Sequence, residues 1–162
     1  MKRTLIAFWL VVICLPAPLF AQKAIVLVRH GERVDESEDA ALSPAGIARA
    51  ARLAEMLKDA GVTAVFATEF VRTFETAKPL ADRLKLTIER IPAADSARLV
   101  TTLRSAHARD VVLVAAHSNT IPDIMTRLGC TESVEIATTE FDNLFVIVPR
   151  GRGAPVVTRL RY

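Results

Sequence analysis

The chain carries three histidines, and two of them stand directly after runs of aliphatic residues. Ile25-Val26-Leu27-Val28 leads into Arg29-His30-Gly31-Glu32, and Val111-Val112-Leu113-Val114-Ala115-Ala116 leads into His117-Ser118-Asn119. Such runs read as strands buried on both faces, the kind found in a parallel sheet covered by helices. Ligands bind at the carboxyl ends of those strands, so Arg29, His30 and His117 stand where a site would be built. Arg72 lies one turn into a helical pattern just past another strand end at Thr68, aimed at the same sheet edge. By itself, a helix arginine reads more readily as a solvated surface residue.

Two imidazoles and two guanidiniums together would make a compact cationic pocket. Guanidinium forks match phosphate oxygens through charge-assisted bonds, and this much positive charge exceeds what one carboxylate needs, so a phosphoryl group is the better fit. Phosphoryl transfer requires an in-line nucleophile, stabilisation of the equatorial oxygens and a proton for the leaving oxygen. A neutral imidazole can attack phosphorus to give a phosphohistidine that water hydrolyses, while a protonated one holds the oxygens that gain charge. The sequence has no phosphate-gripping glycine loop and no cluster with metal-ligand spacing, so neither a metal nor a cofactor is expected.

The elements that must position these groups alternate strand and helix. After the first strand comes a polar, acidic stretch at residues 33–39. Ser43-Pro44 then signals an N-cap with proline at the first helical position. The expected helix over 44–60 would bury Ile47, Ala50, Leu53, Ala54 and Leu57 and end at Gly61. A strand over 62–67 precedes a helix over 69–84 with Phe70, Phe74, Ala77, Ala81 and Leu84 on one face, where Pro79 should kink or divide it. A strand over 86–91 and a helix over 95–106 follow, with Leu99 and Leu103 inward. His107 reads as a surface residue without a role. After the strand over 110–116, a helix is expected over 119–128. Two strands over 143–149 and 155–162 close the chain, the last alternating as an antiparallel edge strand does. This order implies an α/β fold, a three-layer α/β/α sandwich over a mostly parallel sheet with an antiparallel edge strand.

Four blocks carry a resemblance: Arg29-His30-Gly31-Glu32, Leu42-Ser43-Pro44-Ala45-Gly46, Arg72-Thr73-Phe74-Glu75-Thr76-Ala77 and His117-Ser118-Asn119-Thr120. In that order they resemble the signature segments of the histidine phosphatase superfamily, also called phosphoglycerate mutase-like. The resemblance implies that His30 is the nucleophile, that Arg29 and Arg72 bind the phosphoryl oxygens, and that His117 completes the pocket. It reverses the reading of Arg72 as a surface residue, and it supports for Glu32 a role in orienting its neighbours. Asn119 is read as a cap of the helix that follows rather than a substrate contact. Many members place an acidic glutamate before the later histidine in a glycine-containing segment that is missing here. Glu89 and Asp95 remain candidates for the acid, with helix capping the competing role of Asp95. Members without that acid favour good leaving groups, which points to a small phosphorylated substrate or a phosphohistidine protein. The competing reading is a catalytically silent module of the same fold that binds phosphorylated ligands.

Length and composition fit one covered core: 162 residues, 51% of them hydrophobic. Lys2 and Arg3 precede an uncharged run over 4–22 that Pro16 and Pro18 close off, which reads as a signal peptide over 1–21 ahead of a single domain over 22–162. The expected location is therefore exported and periplasmic, without stable membrane association after cleavage. An uncleaved N-terminal anchor is the alternative, weakened by the two prolines. Lys2 and Arg3 are the only basic residues before residue 22, so 19 basic face 18 acidic side chains in the rest. That balance excludes a nucleic-acid-binding face. Cys130 would have no partner once Cys14 left with the signal, and it reads as a small buried hydrophobe.

Overall fold

A computed structural model of the chain describes residues 23–162, so the expected signal peptide lies outside the described residues. The elements run β1 (Ala24–Arg29), α1 (Pro44–Leu57), β2 (Val62–Ala67), α2 (Val71–Leu84), β3 (Ile88–Arg90), α3 (Ser96–Ala106), β4 (Val111–Ala116), α4 (Ile121–Leu128), β5 (Asn143–Val148) and β6 (Val156–Arg161). The six strands form one sheet in the order β3-β2-β4-β1-β5-β6. β3, β2, β4 and β1 run parallel, whereas β5 lies antiparallel to β1, and β6 antiparallel to β5. The sandwich is the expected one, with two antiparallel strands at that edge rather than one.

Alternate residues of each central strand face opposite sides, and each side has its own core. Val26, Val28, Val65, Leu113 and Ala115 pack under α1 and α2, against Leu53, Leu57, Ala77 and Leu80. Ile25, Leu27, Phe66, Val112 and Val114 pack under α3 and α4, against Leu99, Leu103, Ile124 and Met125. The chain therefore leaves β1 over one face through α1 and leaves β4 over the other through α4. The connections out of these two neighbouring, still paired strands therefore part to opposite faces of the sheet at their carboxyl ends, which is where parallel sheets open a crevice for ligands.

Capping residues set where the helices begin. The Ser43 hydroxyl accepts from Gly46 N with Pro44 at the first position of α1, and Asp95 caps α3 by accepting from Arg98 N. α2 runs unbroken through Pro79. Its side chains turn out differently from the expected stripe, since Phe70 precedes the helix as its N-cap residue. Ile47 was expected in the core but is 58% exposed; Gly46 takes the inward position instead. The reason is backbone contact: a Cβ on Gly46 would lie 2.3 Å from the Glu32 carbonyl oxygen, and one on Gly31 would lie 3.0 Å from Gly46 Cα. α1 thus presses its first turn against the loop that leaves β1, which only glycine permits.

His107 is also not the idle surface residue expected. Its Nδ1 lies 2.7 Å from Asp110 Oδ2, its Nε2 lies 3.7 Å from Glu89 Oε1, and its ring packs edge-on against Phe66. Cys130 is half-buried against the core, and burial pushes its thiol pKa up, away from reactivity.

Candidate active site

Register alone brings the two strand-end histidines together. Arg29 pairs with Ala116 across β1 and β4, and His30 N then donates to the Ala116 carbonyl at 3.0 Å, so His30 and His117 leave adjacent strand ends. Their ring centroids are 5.2 Å apart in an edge-on arrangement. Ala67 pairs with Ala115 across β2 and β4, which sets Thr68 beside His117 and starts α2 with Arg72 one turn later. Arg29, His30, Arg72 and His117 all line one open cavity of about 910 Å³, together with Glu32, Arg33, Glu36, Ser118, Asn119, Thr138, Thr139 and Phe141. All four of the expected site residues are thus brought to one place.

Each arginine is braced by one edge of its fork. Arg29 Nη1 donates to the carbonyls of Ala137 and Glu140, both at 2.9 Å, and its guanidinium stacks 3.9 Å from the Phe141 ring centroid. Arg72 Nη1 donates to the Glu38 carbonyl at 2.7 Å, and its guanidinium lies 4.3 Å from the Phe70 ring centroid. In both, the Nε–H is buried and makes no hydrogen bond. Leaving a buried charged donor unmatched is costly, so the unmatched edges have the chemistry that would suit an anion. Burial, followed by repulsion from Arg33, lowers the pKa of both guanidiniums, and an incoming anion would relieve both effects.

His30 is arranged to be neutral with one nitrogen free. Its Nδ1 lies 2.7 Å from the Gly31 carbonyl oxygen, which only accepts, so the proton sits on Nδ1 and the lone pair on Nε2. Nε2 makes no hydrogen bond among the described residues and is not enclosed. Burial pushes the pKa of His30 down to about 3, with the Gly31 bond opposing and the charges of His117, Arg72 and Arg29 assisting. Burial, then Arg72, brings His117 to about 4. Gly31 is itself pinned, its N–H donating to Thr76 Oγ1 at 2.9 Å.

Glu32 lines the cavity with its carboxylate gripped by the Arg49 fork at 2.6 to 3.1 Å, a pairing that holds its pKa low. It therefore orients rather than carries a proton. Neither candidate acid reaches the cavity: Asp95 is committed to capping α3, and Glu89 faces His107. Asn119 corrects a further expectation, because Thr120 is the residue at the cap of α4 and Asn119 lines the cavity. Residues 33–39 contribute to the rim through Arg33 and Glu36, and a distant loop adds Thr138, Thr139 and Phe141. The bracing carbonyls of Glu38, Ala137 and Glu140 left no signal in side-chain pattern, since any residue supplies a carbonyl. Among the described residues, no group of three or more His, Cys, Asp or Glu could hold a metal ion, and no helix is long and apolar enough to cross a membrane.

The chain matches the model of the histidine phosphatase superfamily, branch 1, over residues 25–95. No curated protein sequence matches it significantly. Among solved structures it is similar to the protein histidine phosphatase SixA complexed with tungstate, at 19% identity and a TM-score of 0.70, over 85% of this chain and 96% of that one. It is also similar to mycobacterial glucosyl-3-phosphoglycerate phosphatase with inorganic phosphate, at 16% identity and a TM-score of 0.69, over 86% and 96% of the two chains. A third is phosphoserine phosphatase from Entamoeba histolytica in complex with 3-phosphoglyceric acid, at 16% identity and a TM-score of 0.65, over 86% and 97%. The signature segments in order, the family model matched over residues 25–95 and the fold shared with these structures make the chain similar to the histidine phosphatase superfamily.

Proposed function

We propose that the protein is a phosphatase that works through a phosphohistidine on His30. The observation that carries this reading is that Arg29 and Arg72, each with a buried Nε–H that makes no hydrogen bond, line the same cavity as His30, which keeps a free Nε2. His30 Nε2 attacks phosphorus as the bond to the leaving oxygen breaks. Arg29, Arg72 and His117 hold the equatorial oxygens as charge redistributes over them. Water then attacks the phosphohistidine, the P–N bond breaks, and inorganic phosphate leaves with His30 neutral again.

Among the described residues, both carboxylates that line the cavity already face an arginine rather than the pocket floor. Glu32 is gripped by Arg49, and Glu36 pairs with Arg33 on a side chain that is 90% exposed. That favours substrates whose leaving group departs without help: phosphohistidine, acyl phosphates and activated aryl phosphates. A small phosphorylated compound or a phosphohistidine side chain both fit an open cavity of this size. The uncharged run over residues 4–22 behind Lys2 and Arg3 supports export as the setting.

The test is hydrolysis of an aryl phosphate, combined with mass-spectrometric capture of the phosphorylated enzyme without acid, which would cleave a P–N bond. A phosphoryl group on His30 and turnover lost in His30→Ala are expected. Wild-type turnover no higher than that of His30→Ala, with phosphate still bound, would point instead to a silent phospho-ligand-binding module.

A further inference from the structure

Two buried hydroxyls beside His117 are not used by the phosphoryl pocket. His117 Nε2 lies 2.9 Å from Thr68 Oγ1, Thr68 Oγ1 lies 2.8 Å from Thr73 Oγ1, and Thr73 Oγ1 lies 2.8 Å from the carbonyl oxygen of Phe70. The three side chains belong to residues 6%, 7% and 0% exposed, so water does not compete for these bonds.

The direction of each bond follows from the far end of the chain. The Phe70 carbonyl can only accept, so the Thr73 hydroxyl donates to it; the alternative acceptor, the Thr68 carbonyl, is farther away at 3.4 Å. With its proton spent, Thr73 Oγ1 can only accept from Thr68. Thr68 Oγ1 then has lone pairs alone to offer His117, and the proton between them belongs to the imidazole Nε2. His117 Nδ1 has no partner among the described residues and is not enclosed, and the residue lines the cavity.

We propose that Thr68 and Thr73 are positioning residues that fix His117 as the Nε2–H tautomer, so that Nδ1 is the nitrogen that meets the phosphoryl group. The phosphoryl contact rests on the phosphatase reading above, whereas the tautomer does not. The chain ends on a carbonyl and so cannot take a proton from His117, which keeps Nε2–H throughout. One proton is then shared between Nδ1 and an equatorial phosphoryl oxygen, brought either by the monoanionic substrate or by the imidazolium. It stays within that contact, and no bond of the relay is exchanged. Thr73 follows Arg72 directly in α2, so the helix turn that aims the guanidinium also anchors the tautomer. Burial and the charge of Arg72 already lower the pKa of His117, and the anion reverses the second effect when it binds.

The test is long-range proton–nitrogen NMR on the ¹⁵N-labelled full chain near neutral pH, with His117 assigned by comparison with His117→Gln. Wild type should show the His117 proton on Nε2, Thr68→Val should populate Nδ1–H, and Thr68→Ser should restore the wild-type pattern. With an aryl phosphate, Thr68→Val should lower kcat/KM about tenfold, as expected for one lost hydrogen bond to a transition-state contact, with Thr68→Ser within about twofold of wild type. Thr73→Val should act in the same direction and less strongly. A wild-type proton on Nδ1, or Thr68→Val with unchanged tautomer and kinetics, would overturn the proposal. Should Thr68→Val fail to fold, the wild-type spectrum and Thr73→Val still decide it. An inactive wild type would reject the phosphatase reading while leaving the tautomer measurement decisive for the relay.

Discussion

At the floor of the cavity, every cation and imidazole is held by a partner that cannot move far. Arg29 is tied to two backbone carbonyls, Arg72 to a third, His30 to its neighbour's carbonyl and His117 to a buried hydroxyl. At the rim, among the described residues, Arg33 (side chain 24% exposed) pairs with Glu36, a side chain 90% exposed. The same residue type therefore does two different jobs. Floor arginines are pre-oriented with one fork edge unmatched, so they would lose little freedom on meeting an anion. A rim arginine must first leave a screened pair and contributes mainly through its field. Arg33 does repel Arg29 and Arg72 enough to lower both, so the rim adjusts the floor without sharing its rigidity.

The widest separation between the two regions should appear with the nucleophile. His30→Ala should lower aryl phosphate turnover by about 10⁴-fold or more while the circular dichroism spectrum stays native. Retention of a tenth of the activity would erase the distinction between floor and rim. Next in size, Arg72→Ala should lower kcat/KM by about 10²- to 10³-fold, the range for removing a preorganised donor from a developing oxyanion. Arg72→Lys should recover little of it, because an ammonium cannot brace on the Glu38 carbonyl and present a second fork edge together.

Proton linkage sharpens the contrast further. NMR titration should place the two floor histidines far below the ordinary value of about 6.5, at about 3 for His30 and about 4 for His117. Between those values and 6.5 the unfolded chain binds more protons than the folded one, so stability should fall as pH drops below 6.5 and keep falling towards about 3. His30→Gln should flatten that slope in thermal unfolding; an unchanged slope would mean that the ring is not held neutral by burial. The smallest effect belongs to the rim. Arg33→Ala and Glu36→Ala should each change kcat/KM by about threefold or less, and the change should shrink as salt is raised.

Much of this was legible in the sequence. Uninterrupted aliphatic runs identified β1 and β4 as doubly covered strands, and the residues that end them could be read as a site because parallel sheets bind ligands at that edge. Ser43-Pro44 marked the start of α1 for local reasons of capping. Side-chain periodicity failed at Ile47, where a backbone contact between Gly46 and Glu32 rotates the helix face, and contacts of that kind leave no periodic trace. For Asp95 the capping role was already the competing reading, because an acid at a helix start is a local signal, whereas spacing does not reveal that Glu89 turns away to His107.

By itself, the sequence determined the layered α/β architecture and the chemical types gathered at the strand ends, since both follow from local pattern and from groups whose chemistry is intrinsic. Tertiary structure decided which nitrogen each histidine keeps free, how each arginine is braced and which loops form the rim. Those depend on carbonyls and hydroxyls from distant parts of the chain, whose meeting is fixed by sheet register rather than by any residue's own preference.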